Sequence, residues 1–314
     1  MKILFAAPEN AWGGFLGMVR SELPQHQFVA TGRFEVDTLK GFDVLIPTMA
    51  PVTEMLLRDC DRLRLIQQCG AGLEGVDIEA ARELNIWVAN VPTEVGNAHA
   101  VAELGIYMMI GLSRNVQAMA QSLAERKMGQ PQGKDLKGRT VGIVGLGGIG
   151  RALVKRLRAF GVQLIAVKQE NPEVAMKEFD LEWVGGAGDL DKLLSRSDFA
   201  VLCLPVTAAT QSIMNRNSFS SMKKGAFLIN LSRGGLIEYN ALLEALSSGL
   251  IAGAGLDVFW EEPPDPDDPI FNYNVLATPH IAGSTDGSMQ NIVRVVAENI
   301  RRAEKNEEPL YHQN

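Results

Sequence analysis

Thr140-Val141-Gly142-Ile143-Val144-Gly145-Leu146-Gly147-Gly148-Ile149-Gly150 is the stretch on which the fold turns. An apolar, β-branched run ends in a glycine loop of the form GxGxxG, and residues 151–160 then carry a helical pattern. Alone the motif says little in a chain with 31 glycines. A strand before it and a helix after it form the setting in which such a loop cradles a dinucleotide pyrophosphate. Gly145 permits the tight turn, Gly147 lets the backbone approach the phosphates, and Gly150 lets the helix pack on the strand. The free N–H groups at the helix start, those of Gly148 and Ile149 among them, supply the donors. The alternative is a generic βα turn.

The next strand, 163–167, should end on the residue that reads the adenosine ribose, commonly an Asp or Glu about 20 residues past the glycines. Lys168 stands there instead, followed by Gln169 and Glu170. A cation at that point suits the 2′-phosphate of NADP. The other reading is a solvated Lys168, with Glu170 taking the acidic role that suits NAD.

Outward from this block, short Val/Ile/Leu runs alternate with amphipathic stretches. Strands are expected at 2–6, 42–46, 63–67 and 86–89, and again at 140–144, 163–167, 199–204, 226–229 and 275–277. Helices are expected at 53–59 and 78–84. This alternation predicts parallel sheets covered by helices, the α/β class. Two longer helices are expected at about 98–127, weakened by Gly105 and Gly111, and at about 285–305. The simplest division puts residues 1–97 plus 285–314 in one domain and 98–284 in a second, nucleotide-binding one, with the long helices as connectors. A cleft between domains is where a small-molecule site is expected.

Composition narrows the function. The chain has 314 residues, 46% hydrophobic and 21% charged, the balance of an ordinary globular protein of two domains. The net charge of −7 argues against a nucleic-acid partner, which calls for a basic surface. No apolar run reaches the ~20 residues of a membrane helix. The first residues lack the layout of a signal peptide. The three cysteines, Cys60, Cys69 and Cys203, show no CxxC spacing and no histidine cluster. Reduced thiols in a cytoplasmic protein without a metal site are therefore expected.

The histidines are His26, His99, His280 and His312. His26 reads as part of a polar turn, His99 as a helix start, and His312 lies near the end of the sequence. His280 follows an expected strand within Thr278-Pro279-His280-Ile281-Ala282-Gly283-Ser284. Ligands of open α/β sheets gather at the carboxyl ends of strands, so His280 is the best acid/base candidate, with a structural turn histidine as the alternative. Arg233, within Asn230-Leu231-Ser232-Arg233-Gly234-Gly235, is either a carboxylate fork or a surface loop residue. Asp257, Glu261 and Glu262 are the carboxylates available to orient an imidazole; a solvated acidic loop is the default for them.

Several motifs then fall in one order. They are Gly70-Ala71-Gly72-Leu73-Glu74-Gly75-Val76-Asp77, 97–103, the glycine loop, 230–234, 257–263 and 278–284. In this the chain resembles the D-isomer-specific 2-hydroxyacid dehydrogenases over nearly its whole length. The resemblance implies two Rossmann-like, doubly wound α/β domains and an active site of Arg233, Glu262 and His280, selecting Glu262 over Glu261. It implies that the Ala71 and Gly72 amides hold a substrate carboxylate together with Arg233. It further implies that Asp257 and the backbone around Leu231 hold the nicotinamide amide, that Leu204 and Pro205 line the adenosine side, and that Gly283 lies against the cofactor. A homodimer is what the resemblance implies for assembly. The phosphoglycerate branch carries Arg at the positions of Pro47 and Gln68, so a small unphosphorylated acid, glyoxylate or hydroxypyruvate, is the expected substrate. Met49, Ala50 and Leu73 leave room for a bulkier apolar acid. Phosphoglycerate or phosphite oxidation, and a non-enzymatic NAD-sensing corepressor, are the alternatives.

Overall fold

The computed structural model describes all residues, 1–314. The chain divides into two compact units, Met1–Asn97 with Ser284–Asn314, and Ala98–Gly283.

The first unit is built on β1 (Lys2–Phe5), β2 (Gln27–Ala30), β3 (Val44–Ile46), β4 (Leu65–Gln67) and β5 (Trp87–Ala89). They form a parallel sheet in the order β2-β1-β3-β4-β5, which reverses direction between β1 and β3. Side chains alternate across a strand. Ile3 and Phe5 therefore enter a core with Phe15, Leu16, Val296 and Ile300, while Leu4 enters another with Leu45, Ile66 and Val88. Both faces are covered, as a parallel sheet requires. The helix Asp286–Glu304, capped by the Thr285 side chain on the Ser288 N–H, supplies Val296 and Ile300.

The second unit holds β6 (Thr140–Val144), β7 (Gln163–Val167), β8 (Trp183–Gly185), β9 (Phe199–Leu202), β10 (Ala226–Asn230), β11 (Ile251–Leu256) and β12 (Val275–Ala277). The parallel order is β12-β11-β10-β9-β6-β7-β8, and the direction of winding reverses between β6 and β9. The two sheets with interspersed helices are the doubly wound α/β architecture that the sequence implies.

Three strands escape the sequence reading. β2 and β8 are short edge strands with mostly half-buried or exposed residues, so neither shows a continuous apolar run. β11 reads Ile-Ala-Gly-Ala-Gly-Leu; its glycines are set by close neighbours, since a Cβ on Gly255 would lie 3.0 Å from Met108. The long helix expected at 98–127 breaks at Asn115, which takes a left-handed backbone (φ 51°) and caps a second helix, Val116–Ala124. Gly105 and Gly111 do not break the first helix, Ala98–Arg114. They let it sit close: a Cβ on Gly105 would lie 2.6 Å from Leu231, and one on Gly111 2.7 Å from Leu276. No helix is long and apolar enough to cross a membrane.

Candidate active site

The glycine loop follows β6 directly. Gly145 has φ 98°, where a side chain is strained, and a Cβ there would lie 2.7 Å from the Cys203 carbonyl. A Cβ on Gly150 would overlap the Gly145 carbonyl, so glycine is what lets the helix Gly148–Leu157 start so close to the strand. Gly147 is different: it is exposed and nothing lies within 4 Å of its would-be Cβ. No side chain caps this helix, and Arg151 N–H makes the first bond back to the Gly147 carbonyl. The amides of Gly148, Ile149 and Gly150 are thereby left as donors at an open helix start. Such a cradle fits a dinucleotide pyrophosphate. Leu204 and Pro205 follow β9 on the other side of the winding reversal, half-buried and exposed respectively. Lys168 follows β7, half-buried, with its N–H on the Gly185 carbonyl; Glu170 is exposed.

The carboxyl ends of β10, β11 and β12 carry the titratable cluster. His280 Nδ1 lies 2.6 Å from Glu262 Oε2, and Glu262 Oε1 accepts the Phe259 N–H at 3.0 Å. Burial alone would raise the Glu262 carboxyl. The hydrogen bond and charge of His280, the Phe259 amide and the Arg233 charge outweigh it and hold the group below the usual range. Glu261 is exposed. The contact with Glu262 on Nδ1 fixes the direction of the imidazole ring.

Asp257, 1% exposed, organises the turn that bears His280. Its carboxylate accepts from Thr278 Oγ1 at 2.6 Å, and from the Ile281 and Ala282 amides at 2.9 Å each. Burial pushes this carboxyl up, against the pull of those hydrogen bonds and of His280. His280 itself sits in the left-handed region (φ 54°), a conformation that needs such support in a non-glycine residue.

Arg233 is fixed from its own backbone. Asn230, fully buried, donates from Nδ2 to the Arg233 carbonyl at 2.8 Å and accepts the Ser232 N–H. Arg233 Nη1 donates to the Ser232 carbonyl at 2.7 Å. A Cβ on Gly234 would overlap the Phe259 carbonyl, so this glycine lets the Arg233 loop nest against the segment leading to Glu262.

In the first unit, Ala71 and Gly72 follow β4. The Gly70 carbonyl accepts the Val91 N–H at 3.1 Å, and the Ala71 carbonyl accepts Asn90 Nδ2 at 2.8 Å. Both peptides are trans, so each N–H points opposite to its carbonyl. The Ala71 and Gly72 amides therefore both face away from residues 90–91. Neither donates to an acceptor in the chain. Two adjacent amides aimed one way suit an anion.

The other histidines lie elsewhere. His99 is exposed. His26, read from sequence as part of a polar turn, is 7% exposed and packs its ring against the Met1 amino group at 3.2 Å and Glu304 at 3.6 Å. Gln68 is also buried: Nε2 donates to the Thr48 carbonyl and Oε1 accepts the Cys69 N–H, so both ends of its amide are engaged within the fold. Sequence reasoning did not single out Asn90, or Asn230 and Gly234 individually. The available signal was a polar residue at or just past the end of a buried strand, Asn230 closing β10 and Asn90 following β5.

Comparison with known proteins agrees with this fold. Residues 106–282 match the family model described as "D-isomer specific 2-hydroxyacid dehydrogenase, NAD binding domain". The chain is 36% identical over 286 residues to D-3-phosphoglycerate dehydrogenase of Methanocaldococcus jannaschii, a match covering 89% of this chain and 53% of that protein. It thus spans about half the length of that relative. It is 38% identical over 258 residues to hydroxypyruvate reductase of Thermotoga maritima, covering 80% of this chain and 81% of that one. The apo structure of D-lactate dehydrogenase from Escherichia coli superposes with a TM-score of 0.83, at 27% identity and full coverage of both chains. With its family model matched over more than half its length, the chain belongs to the D-isomer-specific 2-hydroxyacid dehydrogenase family of oxidoreductases.

Proposed function

We propose that the protein reduces a small, unphosphorylated 2-keto acid of the glyoxylate or hydroxypyruvate type to the D-2-hydroxy acid, using NAD(P)H. The observation that carries this reading is the 2.6 Å pair of Glu262 with His280 on a turn braced by Asp257. The Gly145–Gly150 loop would hold the pyrophosphate of NAD(P)H, and the bound cofactor would supply the hydride for the carbonyl carbon. The Ala71 and Gly72 amides and Arg233 take the substrate carboxylate, and Arg233 also polarises the keto oxygen. His280 gives the proton on Nε2 to the developing alkoxide as general acid. Glu262 orients the ring through Nδ1 and, after transfer, holds the tautomer protonated there. Asp257 Oδ2 accepts only the Ala282 amide, which leaves it capacity for a nicotinamide carboxamide donor; Leu231 follows Asn230, whose carbonyl accepts the Asp257 N–H, and Gly283 follows Ala282. Residues 98–284 serve as the nucleotide domain and 1–97 plus 285–314 as the substrate domain.

Buried Gln68, engaged at both ends, supports an unphosphorylated substrate, because it offers no free cation or donor where a phosphate would need one. Half-buried Lys168 past β7 supports a preference for NADP. A homodimer is supported by the apolar side chains exposed along Ala98–Arg114 and Val116–Ala124: Tyr107 at 47%, Ile110 at 38%, Met119 at 39% and Leu123 at 79%. The test is steady-state kinetics on glyoxylate, hydroxypyruvate and 3-phosphohydroxypyruvate, with His280→Ala alongside. The two unphosphorylated acids should be the better substrates, and His280→Ala should lose about 10²–10⁴ in kcat. Higher kcat/KM on the phosphorylated acid, or near-normal turnover in the variant, would overturn the reading.

A further inference from the structure

We infer that Asn90 is a positioning residue for substrate: it sets the direction of the Gly72 amide and so tunes affinity for the substrate carboxylate. This rests on the reading of Ala71 and Gly72 as the carboxylate site.

The Gly70–Ala71 peptide is held by backbone alone, through Val91 N–H on the Gly70 carbonyl. The Ala71–Gly72 peptide has no such backbone partner. Its carbonyl is held by one side-chain bond, Asn90 Nδ2 at 2.8 Å. Rotation of that peptide would turn the Gly72 amide away from its neighbour while the Ala71 amide stayed in place. The pair that suits an anion therefore depends on Asn90.

Asn90 is built to hold this line. It is 9% exposed, and its Oδ1 is buried with no hydrogen-bond partner. An apolar residue would avoid that unpaired oxygen, so the one bond from Nδ2 is what distinguishes asparagine here. Turning the amide over would set Oδ1 against the Ala71 carbonyl, two acceptors face to face. The backbone beneath is fixed from both sides. Gln68 N–H donates to the Ala89 carbonyl, and residues 311–314 run along the free edge of β5, with Ala89 paired antiparallel to His312. Gln313 N–H donates to the Val88 carbonyl at 2.8 Å, and Asn314 Oδ1 accepts the Val88 N–H at 2.9 Å. Asn299, itself buried, pins the start of this segment through both the N–H and the carbonyl of Leu310.

The experiment compares Asn90→Ala, Asn90→Asp and Gly72→Pro with the unmodified protein. The readouts are keto-acid KM, kcat and its pH profile, NAD(P)H KM, and the dissociation constant of oxamate, the amide isostere of a 2-keto acid, on the binary complex. Asn90→Ala should raise the oxamate dissociation constant and keto-acid KM about tenfold, the worth of one hydrogen bond near a charged group. NAD(P)H KM and the pH profile of kcat should not move. Asn90→Asp keeps the volume but sets an acceptor against the Ala71 carbonyl, so it should weaken oxamate more than Asn90→Ala does. It also decides the question if Asn90→Ala does not fold. A change below twofold in oxamate binding, or a loss of NAD(P)H affinity in parallel with it, rejects the positioning role. Gly72→Pro removes the amide itself. Weak oxamate binding in Gly72→Pro with normal binding in both Asn90 variants rejects Asn90 and leaves the carboxylate site standing. Normal binding in Gly72→Pro rejects the carboxylate site and the role of Asn90 with it.

Discussion

Lys168 and His280 show how a residue's chemistry depends on where a strand delivers it. His280 is one of four histidines, but it alone follows a strand end in the nucleotide unit and meets a carboxylate, Glu262, on Nδ1. Asp257 contributes from below by taking the Ile281 and Ala282 amides, so a left-handed histidine is held without a glycine in its place. Lys168 directly follows β7, where an acidic residue would accept the ribose hydroxyls. A charge-assisted hydrogen bond to a 2′-phosphate contributes about 1.5–3 kcal/mol, or roughly 10- to 150-fold in dinucleotide preference before solvent screening reduces it. Lys168→Asp should therefore lower kcat/KM for NADPH tenfold or more while the value for NADH holds or rises. An unchanged NADPH/NADH ratio would show that Lys168 points to solvent.

Among the elements, the loops after β10 and β11 matter most, because they carry Arg233 and Glu262 and touch through a glycine. Gly234 packs against the Phe259 carbonyl, two elements of backbone in contact with no room for a methyl group. Gly234→Ala must push the loops apart. Overpacking of this kind costs about 1–3 kcal/mol, which lowers Tm by a few degrees in a unit of this size. The displacement also moves Arg233 relative to Glu262, so kcat should fall at least tenfold while the protein remains folded at 25 °C. Thermal unfolding and turnover measured on the same sample check this; an unchanged kcat would show that the contact is structural only. The helix Ala98–Arg114 makes the same point without chemistry, since Gly105 and Gly111 serve its approach to Leu231 and Leu276 rather than its ending.

At the scale of the whole molecule, the chain builds the first unit from both of its ends. Val293, Val296, Ile300 and Ala303 of the helix Asp286–Glu304 complete the core begun by Ile3, Phe5 and Phe15. The second unit is one continuous stretch, Ala98–Gly283, and it carries the apolar side chains left in solvent on Ala98–Arg114 and Val116–Ala124. Twofold pairing is the simplest way to cover such a face. Light scattering at micromolar concentration should give twice the chain mass of 34.1 kDa. Tyr107→Glu with Leu123→Glu should return the monomer, and a monomer in the unmodified protein would reject the pairing.

The sequence by itself determined the features that are local. The run from Thr140 to Gly150 reads as strand, turn and helix, because its β-branched residues favour an extended backbone and its glycines permit the tight turn that follows. The alternation of apolar runs with amphipathic stretches argued for parallel sheets covered on both faces, and the net charge of −7 argued against a nucleic-acid partner. It also put His280 and Arg233 past strand ends. Tertiary structure alone decided what depends on distant neighbours. Glu261 and Glu262 are indistinguishable as letters, and only the path of the loop after β11 brings one of them to 2.6 Å from His280. The strands β2 and β8 are too short and too exposed to announce themselves, and they exist because a neighbouring strand offers its edge. The long helix was expected to weaken at its glycines and breaks instead at Asn115. Asn90 is one asparagine after a strand until the turn after β4 folds back and offers it the Ala71 carbonyl. Propensity acts over a few residues, whereas a hydrogen bond across nineteen positions forms only after the sheet has fixed both ends.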